Sequence, residues 1–400
     1  MTTASDSRPP AFHVMAKPRG AICNLGCEYC YYLPKKALYP GGTFRMSNQV
    51  LKSYVRQYIA AQQVPQVHFA WQGGEPTLMG LDFFRRVVGY QKEAARPGMR
   101  IENAIQTNGT LLNDDWCRFF AENHFLVGIS LDGPREIHDV YRKDKGNRGT
   151  FDRVIHGIRL LKDYQVDFNI LTCVSAANAE KPLEVYHFLR DEVGAEFIQF
   201  IPIVEWERPT DPQKERKLSE RSVNGEQYGY FLNSIFDDWL AHDLSKIFVQ
   251  IFDTSFGHWI GAPGGLCVFQ ETCGLALVTE HNGDVYSCDH FVEPDCYLGN
   301  MLKTPLAEMV GSEKQRQFGL AKRNSLPQYC RSCSFLFACN GGCPKDRTDI
   351  TPDGEPGLNH LCSGFKTFFA HVDSPFRIMA NLIRQHRPMT DVMKILENSN

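Results

Sequence analysis

Three cysteines near the amino terminus have a spacing typical of metal binding. Cys23, Cys27 and Cys30 follow the pattern Cys-x3-Cys-x2-Cys. Three thiolates on one loop can hold three irons of a 4Fe–4S cube. The fourth iron then lacks a protein ligand and can bind a small molecule, as the open position of a catalytic metal site does. A zinc site would need a fourth Cys or His, and none follows within a finger-like distance. The spacing therefore predicts a catalytic iron–sulfur cluster.

A second, larger set of cysteines lies in the carboxyl-terminal half. Eight thiols divide into two groups of four, enough for two fully ligated clusters or, as the alternative, two four-cysteine zinc sites: Cys267, Cys273, Cys288, Cys330, Cys333, Cys339, Cys343 and Cys362. Three of the 14 cysteines remain. Cys117 and Cys173 lie in a helix pattern and a strand pattern, which predicts small core residues. Cys296 has no predicted role.

Charge and hydropathy exclude several classes of protein. The net charge of −3 gives no basic surface for nucleic acid or an anionic membrane. No apolar run approaches the ~20 residues that a membrane span needs. Met1–Pro10 is polar and lacks the apolar centre of a secretory signal. These features predict a cytoplasmic protein, with thiols kept reduced and available for metal.

Apolar runs of strand length alternate with helix-like stretches over residues 11–205. The candidate strands are Phe12–Ala16, Gln66–Trp71, Arg100–Gln106, Leu126–Leu131, Asp167–Val174 and Phe197–Ile203. The amphipathic segments between them are Asn48–Gln62, Asp82–Glu93, Asp114–Asn123, Thr150–Tyr164 and Pro182–Val193. Six units of strand followed by helix predict an α/β fold, a parallel sheet with outer helices that curls toward a partial (β/α)6 TIM-like barrel.

Catalytic groups in such a barrel lie at the carboxyl ends of strands. Three Gly- and polar-rich segments fall there: Gln72–Pro76, Thr107–Gly109 and Ser130–Pro134. Farther on, residues 205–225 predict a solvated loop, Gln227–Leu240 a helix and Phe365–Glu397 capping helices. The segment 264–365 is dominated by Gly, Pro and turn residues, so we expect clusters rather than a large core to hold it together.

The first cysteine motif, followed by Tyr31 and Tyr32, resembles that of the radical S-adenosylmethionine superfamily. From about Phe12 to Phe369 the chain resembles one subgroup, the anaerobic sulfatase-maturating enzymes. In that superfamily the open iron chelates S-adenosylmethionine, and electron transfer yields a 5′-deoxyadenosyl radical. The resemblance implies a radical SAM partial-barrel domain over 1–240, a cysteine-rich SPASM domain over 241–370 and a helical cap over 371–400.

The resemblance also implies residues that bind S-adenosylmethionine. Gly74 and Glu75 match the glycine-rich strand end that meets the cofactor's amino group. Glycine permits close backbone approach, and a carboxylate can pair with an ammonium. Tyr29 matches an aromatic residue near adenine, and Ser130 matches a contact to the ribose. Arg142 matches a contact to the cofactor's carboxylate or ribose, and Val204 matches an apolar residue near adenine. For Val204, an ordinary core position is the alternative.

The second cysteine set resembles the SPASM extension of peptide-modifying radical enzymes. By this resemblance, one auxiliary 4Fe–4S cluster has the ligands Cys267, Cys273, Cys288 and Cys343. The other has the ligands Cys330, Cys333, Cys339 and Cys362. With the first motif, the chain is expected to carry three 4Fe–4S clusters.

Asp289 directly follows Cys288 and matches the proposed general base of the maturases. Oxidising Cys or Ser to an aldehyde removes a hydrogen atom, an electron and a proton. The radical takes the hydrogen from the β-carbon, an auxiliary cluster can accept the electron, and a carboxylate can take the proton. A carboxylate beside such a cluster is expected to have a raised pKa. The alternative is that Asp289 caps a turn.

The resemblance implies an enzyme that converts a Cys or Ser of an unfolded or nascent sulfatase polypeptide to Cα-formylglycine, with a flavodoxin or ferredoxin as electron donor. One alternative is a SPASM enzyme that cross-links peptides through thioether or carbon–carbon bonds. Another is a non-catalytic electron carrier, against which the open three-cysteine site and the barrel-like half argue.

Overall fold

The computed structural model describes residues 9–207, 217–262 and 265–397. The chain forms two compact units, each assembled from segments distant in sequence. The first contains Met1–Ile129, Arg142–Phe168 and Thr272–Ala321, and the second contains Ser130–Tyr141, Asn169–Glu271 and Lys322–Asn400. Most of the polar amino-terminal segment, residues 1–8, lies outside the described residues. Within the described residues, every helix is too short or too polar to cross a membrane.

Strands and helices alternate through the first half of the chain. The strands are β1 (His13–Lys17), β2 (Gln66–Trp71), β3 (Arg100–Thr107), β4 (Phe125–Ser130), β5 (Phe168–Val174), β6 (Phe197–Pro202), β7 (Phe248–Val249), β8 (Ala276–Glu280), β9 (Asp284–Tyr286), β10 (Tyr297–Asn300), β11 (Asp349–Ile350) and β12 (Pro356–Leu358). The helices are α1 (Asn48–Ala61), α2 (Leu81–Ala94), α3 (Asp114–Glu122), α4 (Arg135–Tyr141), α5 (Phe151–Asp163), α6 (Pro182–His187), α7 (Gly225–His242), α8 (Gln250–Trp259), α9 (Leu306–Val310), α10 (Glu313–Asn324), α11 (Gln328–Arg331), α12 (Leu336–Cys339), α13 (Cys362–Arg384) and α14 (Val392–Glu397).

In the first unit, β1, β2, β3 and β4 are parallel and each pairs with the next. Strand β8 pairs in parallel with the other edge of β1, and the antiparallel strands β9 and β10 extend the sheet beyond it. Phe69 and Trp71 of β2 are fully buried, as the alternation along a half-covered strand requires. Side-chain caps begin the outer helices: Ser47 accepts the N–H of Val50 at the start of α1. The carboxyl ends of the parallel strands thus meet at one edge.

The predicted strands and helices of residues 11–205 are confirmed. Strand ends and most helix ends differ from the prediction by at most one residue. The exception is Pro182–Val193, where α6 is followed by a π-helical turn at Phe188–Glu192. A turn of this kind needs an extra backbone residue, which hydrophobic periodicity does not reveal.

The second unit contains the parallel strands β5, β6 and β7 and a close pair of helices. Helix α7 and helix α13 approach each other through glycines. A Cβ atom at Gly364 would lie 2.1 Å from the carbonyl oxygen of Gly225, and one at Gly229 would lie 3.0 Å from Cα of Gly364. Since Cys362 is the first residue of α13, this contact fixes the position of a predicted cluster ligand.

Part of the cysteine-rich segment joins the core of the first unit, so the expectation for 264–365 is wrong there. Leu277 and Val278 of β8 and Val285 of β9 are at most 1% exposed. The apolar run of β8 is short, but pairing with β1 buries it. Hydrophobic packing therefore supports Cys273 and Cys288, which flank these strands.

The loop over residues 205–225 is more ordered than predicted. Trp206 forms an isolated bridge with Leu218, and Arg221 forms an ion pair of 2.9 Å with Glu205. Val223 is fully buried. The described part of this loop is therefore packed rather than solvated throughout; residues 208–216 lie outside the described residues.

Candidate active site and iron–sulfur sites

The first three cysteines lie on the loop that follows β1, and all three are half-buried. Hydrogen-bond donors point at the sulfur of Cys23. The N–H of Leu25 lies 3.3 Å from Sγ, and Nδ2 of Asn108, at the end of β3, lies 3.6 Å away. The N–H of Cys30 bonds to the carbonyl of Cys27 and closes the turn between them. Such donors suit a sulfur that carries negative charge.

The thiol of Cys23 needs a cation to ionise. Burial raises its pKa to about 12, with the charges of Glu75 and the neighbouring thiols acting in the same direction and the Leu25 N–H opposing them. Metal binding displaces the proton of such a thiol, so thiol ligands and metal are coupled. Three thiols on one loop with N–H donors at a sulfur therefore fit an iron–sulfur cluster.

The glycine turn after β2 packs directly on the cysteine loop. Gly74 has φ +49°, and a Cβ atom there would lie 2.1 Å from the carbonyl oxygen of Ile22. The next N–H, that of Glu75, donates to this carbonyl at 2.9 Å. A side chain at Gly73 would collide with Lys17. The structure therefore places Gly74 and Glu75 against the cysteine motif.

The carboxylate of Glu75 is occupied by protein donors. It is 1% exposed and accepts hydrogen bonds from the N–H and hydroxyl of Thr77, the hydroxyl of Thr107 and the N–H of Asn108, at 2.6–3.0 Å. Burial raises its pKa, although these hydrogen bonds favour the ionised form. Glu75 thus ties the ends of β2 and β3 together. Its pairing with a cofactor ammonium stays a prediction.

Two predicted cofactor contacts meet in the first unit. The guanidinium of Arg142 lies over the ring of Tyr29, 5.4 Å from its centroid, and both residues are mostly buried. This is a cation–π contact. Ser130 ends β4 and Val204 follows β6, both within the second unit, and both are half-buried. The cofactor roles of these four residues stay predictions.

Asp289 is held by two side chains from the other end of the chain. Nζ of Lys17 lies 2.5 Å from one carboxylate oxygen, and the hydroxyl of Tyr31 donates to the other at 2.6 Å. Burial alone would raise the pKa of Asp289, but Lys17, His290 and the Tyr31 hydroxyl outweigh it and lower the pKa. Without a cluster, the buried ammonium of Lys17 thus favours the ionised carboxylate. The raised pKa expected beside a ligated cluster stays a prediction.

Lys17 is the central residue of this network, and the sequence analysis did not select it. Its side chain is fully buried, donates to Oε1 of Gln72 at 2.8 Å and places its ammonium 4.4 Å from the ring centroid of Tyr32. The Tyr32 hydroxyl donates in turn to Glu280, which also contacts His281. A lysine at the end of an apolar strand, just before a metal motif, was the available signal.

Cys273 and Cys288 are brought together within the first unit. The buried side chain of Gln315 donates to the carbonyl of Gly274 at 2.9 Å and to that of Ser287 at 3.2 Å. These carbonyls belong to the residues beside the two cysteines. Gln315 of α10 therefore joins two predicted ligands of one cluster.

Cys267 and Cys343 both belong to the second unit. Burial, the charge of Asp346 and the thiol of Cys267 together raise the pKa of Cys343 to about 11. The buried Lys322 donates to the carbonyls of Cys267 and Val268 at 2.7 and 2.9 Å and holds this turn in place. Each unit thus pairs two of the four cysteines predicted to share a cluster.

The other four predicted ligands line one cavity of the second unit, together with the aromatic rings of Tyr329, Phe335 and Phe369: Cys330, Cys333, Cys339 and Cys362. Within the described residues, no three His, Cys, Asp or Glu side chains converge on a point where a single metal ion fits. In a 4Fe–4S cube each thiolate binds a different iron, so the ligands stand apart. Four thiols around a shared cavity fit such a cube.

The remaining cysteines differ in burial. Cys117 of α3 is fully buried, as predicted for a core residue. Cys173 lies in β5 but is half-buried, so the prediction of a core position is too strong. The carbonyl of Cys296 accepts the N–H of Ser287, which places its backbone beside that of Cys288.

Two family models match the chain, one over each set of cysteines. The radical SAM superfamily matches residues 18–189, which contain the three-cysteine loop and the glycine turn. The SPASM iron–sulfur cluster-binding domain matches residues 267–334. This description favours iron–sulfur over zinc in the part of the second cysteine set that it covers, Cys267 to Cys333. The fold and sites thus define a radical SAM protein with an iron–sulfur extension.

Similar proteins narrow the class. The serine-type anaerobic sulfatase-maturating enzyme of Bacteroides thetaiotaomicron is 47% identical, over 96% of this chain and 95% of its own length. The cysteine-type enzyme of Clostridium novyi is 34% identical, over 93% and 99%. The solved structure of native anSMEcpe with bound AdoMet and Cp18Cys peptide has a TM-score of 0.82 and 31% identity, over 93% and 99%. This chain belongs to the anaerobic sulfatase-maturating enzymes, and the predicted fold class is confirmed.

Proposed function

We propose that this protein oxidises a Cys or Ser side chain of a sulfatase polypeptide to Cα-formylglycine by radical SAM chemistry. Relatives of both the serine and the cysteine type cover nearly the whole chain. The observation that carries the proposal is the position of Asp289. Its carboxylate is held by Lys17 and Tyr31, and Tyr31 directly follows the three-cysteine loop. A base and a radical-generating site therefore share one network.

The proposed cofactors are S-adenosylmethionine and three 4Fe–4S clusters. Cys23, Cys27 and Cys30 would hold the cluster with the open iron. The auxiliary clusters would use the two sets described above, one divided into the pairs Cys273–Cys288 and Cys267–Cys343 and one around the cavity. Solved relatives contain AdoMet, and the cofactor contacts proposed here are Tyr29, Gly74, Glu75, Ser130, Arg142 and Val204.

Asp289 would act as the general base. When bound, the clusters and S-adenosylmethionine supply the radical that removes a hydrogen atom from the substrate β-carbon and an acceptor for one electron. The remaining step is proton transfer from the thiol or hydroxyl to a carboxylate oxygen of Asp289. Lys17 stabilises the ionised carboxylate and fixes its direction, and the Tyr31 hydroxyl holds the second oxygen. These contacts keep a proton acceptor ready at neutral pH.

The substrate would be an unfolded or nascent sulfatase segment, because its side chain must reach a carboxylate that is only partly exposed. We propose a flavodoxin or ferredoxin as the electron donor and the reducing cytoplasm as the compartment, which suits thiol-ligated clusters.

A peptide assay tests the function. Reduced enzyme is incubated with S-adenosylmethionine and sulfatase-motif peptides that carry Ser or Cys, and the products are weighed by mass spectrometry. A Ser peptide should lose two hydrogens, and a Cys peptide should also exchange sulfur for oxygen. Release of 5′-deoxyadenosine with both peptides unchanged would contradict the proposal.

Asp289→Asn tests the base. It should lower peptide oxidation by roughly 10²–10⁴-fold, the usual contribution of general base catalysis, while cofactor cleavage persists. Asp295→Asn is the matched control, since Asp295 lies on the same segment and is exposed. Full peptide turnover by the Asp289 variant would refute its assignment as the base.

A further inference from the structure

Lys366 places a positive charge at the cavity lined by Cys330, Cys333, Cys339 and Cys362. The residue is one of those that line this cavity. It follows Cys362 by four residues on α13, so the two side chains lie on the same helix face, one turn apart. Its ammonium interacts electrostatically with the thiols of Cys333 and Cys362.

Tyr329 holds the ammonium in this position. Nζ of Lys366 donates to the Tyr329 hydroxyl at 3.2 Å and lies 5.0 Å from the centroid of the ring. Tyr329 immediately precedes Cys330 on α11, so the ammonium is tied to two of the three helices that carry proposed cluster ligands. An ammonium has three N–H donors, and the Tyr329 hydroxyl uses one of them.

Other charges act on the same thiols but are arranged differently. Arg347 and Glu355 act on Cys330 with opposite sign, and Asp349 acts on Cys362. The guanidinium of Arg347 donates to the carbonyls of Lys322, Asn340 and Gly341, among others, and fixes the loop around Cys339. Arg347 therefore stabilises the backbone of this loop. Lys366 is exposed, lines the cavity itself and donates to a side chain rather than to the backbone, so its charge lies beside the thiols.

We propose that Lys366, held by Tyr329, raises the reduction potential of the auxiliary cluster at this cavity. The inference rests on the proposed function, which assigns a 4Fe–4S cluster to these cysteines. The potential of such a cluster depends on nearby charge, hydrogen bonds to its sulfurs and solvent exposure. A fixed cation stabilises the form that carries one more electron. It makes this cluster a better acceptor of the single electron that leaves the substrate when its proton goes to Asp289.

The test is a redox titration of the reconstituted full-length enzyme followed by electron paramagnetic resonance. The signal of this cluster is the one lost in Cys330→Ser and unaffected by S-adenosylmethionine. In Lys366→Met the ratio of reduced to oxidised cluster at a fixed potential should fall by roughly threefold to tenfold, where tenfold corresponds to about 59 mV for one electron. Lys366→Glu should lower the potential further, and Tyr329→Phe should lower it less.

Two variants serve as controls. Lys366→Arg keeps the charge and should keep the potential. Arg384→Met removes an exposed cation from the same helix, 18 residues farther on, or about 27 Å at 1.5 Å per residue, and should change nothing. Equal potentials in Lys366→Met, Lys366→Glu and the unmodified enzyme, with iron content intact, would overturn the inference but not the proposed function.

Iron analysis distinguishes an error in the role of Lys366 from an error in the cluster assignment. Cys330→Ser should lose the iron of one cluster. If its iron content and spectrum equal those of the unmodified enzyme, no cluster occupies the cavity, and both the cluster assignment and the role of Lys366 are wrong.

Discussion

The three-cysteine loop of the first unit and the four-cysteine cavity of the second differ in what surrounds their sulfurs. Around the loop, polar groups are numerous: Asn108 donates to Cys23, and the Lys17–Asp289 ion pair is joined to the loop through Tyr31. Around the cavity, Phe335 and Phe369 are prominent, and Lys366 supplies a cation. Both regions collect thiols, but their environments differ.

The proposed numbers of ligands explain this difference. Four thiolates would complete a cube, so the surroundings of the cavity would need only to exclude water and adjust its potential. Three thiolates would leave an iron open, and the surrounding chain would then have to bind a cofactor and accept a proton. A buried ion pair is weak evidence for stability, and the Lys17–Asp289 pair fits the proposal that Lys17 positions a base.

Cysteine substitutions give the largest expected contrast. Cys27→Ala should abolish cofactor cleavage and peptide oxidation, because the open site loses a ligand. Cys333→Ala should leave cofactor cleavage measurable while peptide oxidation falls sharply. Each variant should lose the iron of one cluster. The measurements are the iron content of each variant and its release of 5′-deoxyadenosine. Equal loss of cofactor cleavage in both variants would break the distinction between an open site and a closed one.

Glycine substitutions should separate the two regions structurally. In Gly74→Ala the new Cβ would lie 2.1 Å from the Ile22 carbonyl, so the cysteine loop must move and iron at the open site should be lost. Gly342→Ala places Cβ 2.5 Å from the Asn359 side chain and should disturb the cavity instead. Electron paramagnetic resonance spectra of the individual clusters measure the loss at the open site and the change at the cavity.

The control for both is Gly89→Ala. Gly89 is exposed on α2 with open space around it. Alanine there should stabilise the helix by up to about 1 kcal/mol. A loss of iron from Gly89→Ala would show that cluster content reports general stability rather than local geometry.

Lys17→Met tests whether the buried ion pair positions the base. The variant leaves Asp289 without its cation, which should reduce stability by about 3–5 kcal/mol and slow peptide oxidation more than cofactor cleavage. Lys35→Met is the matched control, because Lys35 forms an ion pair of 3.4 Å with the exposed Glu293. A surface pair contributes at most about 1 kcal/mol to stability. Comparable losses in both variants would contradict the special role of Lys17.

The smallest expected effect concerns acid stability of the strand that leads to the open site. Burial, and then the charge of His68, lower the pKa of His13 to about 4. The unfolded chain binds the proton at higher pH, so stability is fully present above pH ~6.5 and falls as the pH drops toward ~4, by at most roughly 3 kcal/mol. His13→Gln should flatten this dependence in denaturant unfolding, and His68→Gln should flatten it less. An unchanged slope in His13→Gln would assign acid sensitivity to other groups.

Much of this organisation could be predicted because it depends on local pattern. Strand-length apolar runs placed β1 to β6 within a residue. The family resemblance, not the spacing alone, grouped the four cysteines that line one cavity. The rest depends on pairing at long range. Nothing near β8 shows that it joins β1, and nothing near Lys17 shows a carboxylate partner beyond residue 280. The fully occupied carboxylate of Glu75 likewise depends on Thr107 and Asn108 of another strand.

The pairing of β1 with β8 also sets an order of events during synthesis. His13 pairs with Ala276, about 260 residues later, so one edge of β1 stays without its partner until the last third of the chain is made. At about 5–20 residues per second this interval is on the order of ten to fifty seconds. Asp289 reaches Lys17 only after β8 is in place. The nascent chain thus completes its cysteine loop well before it acquires the carboxylate that would accept the substrate proton.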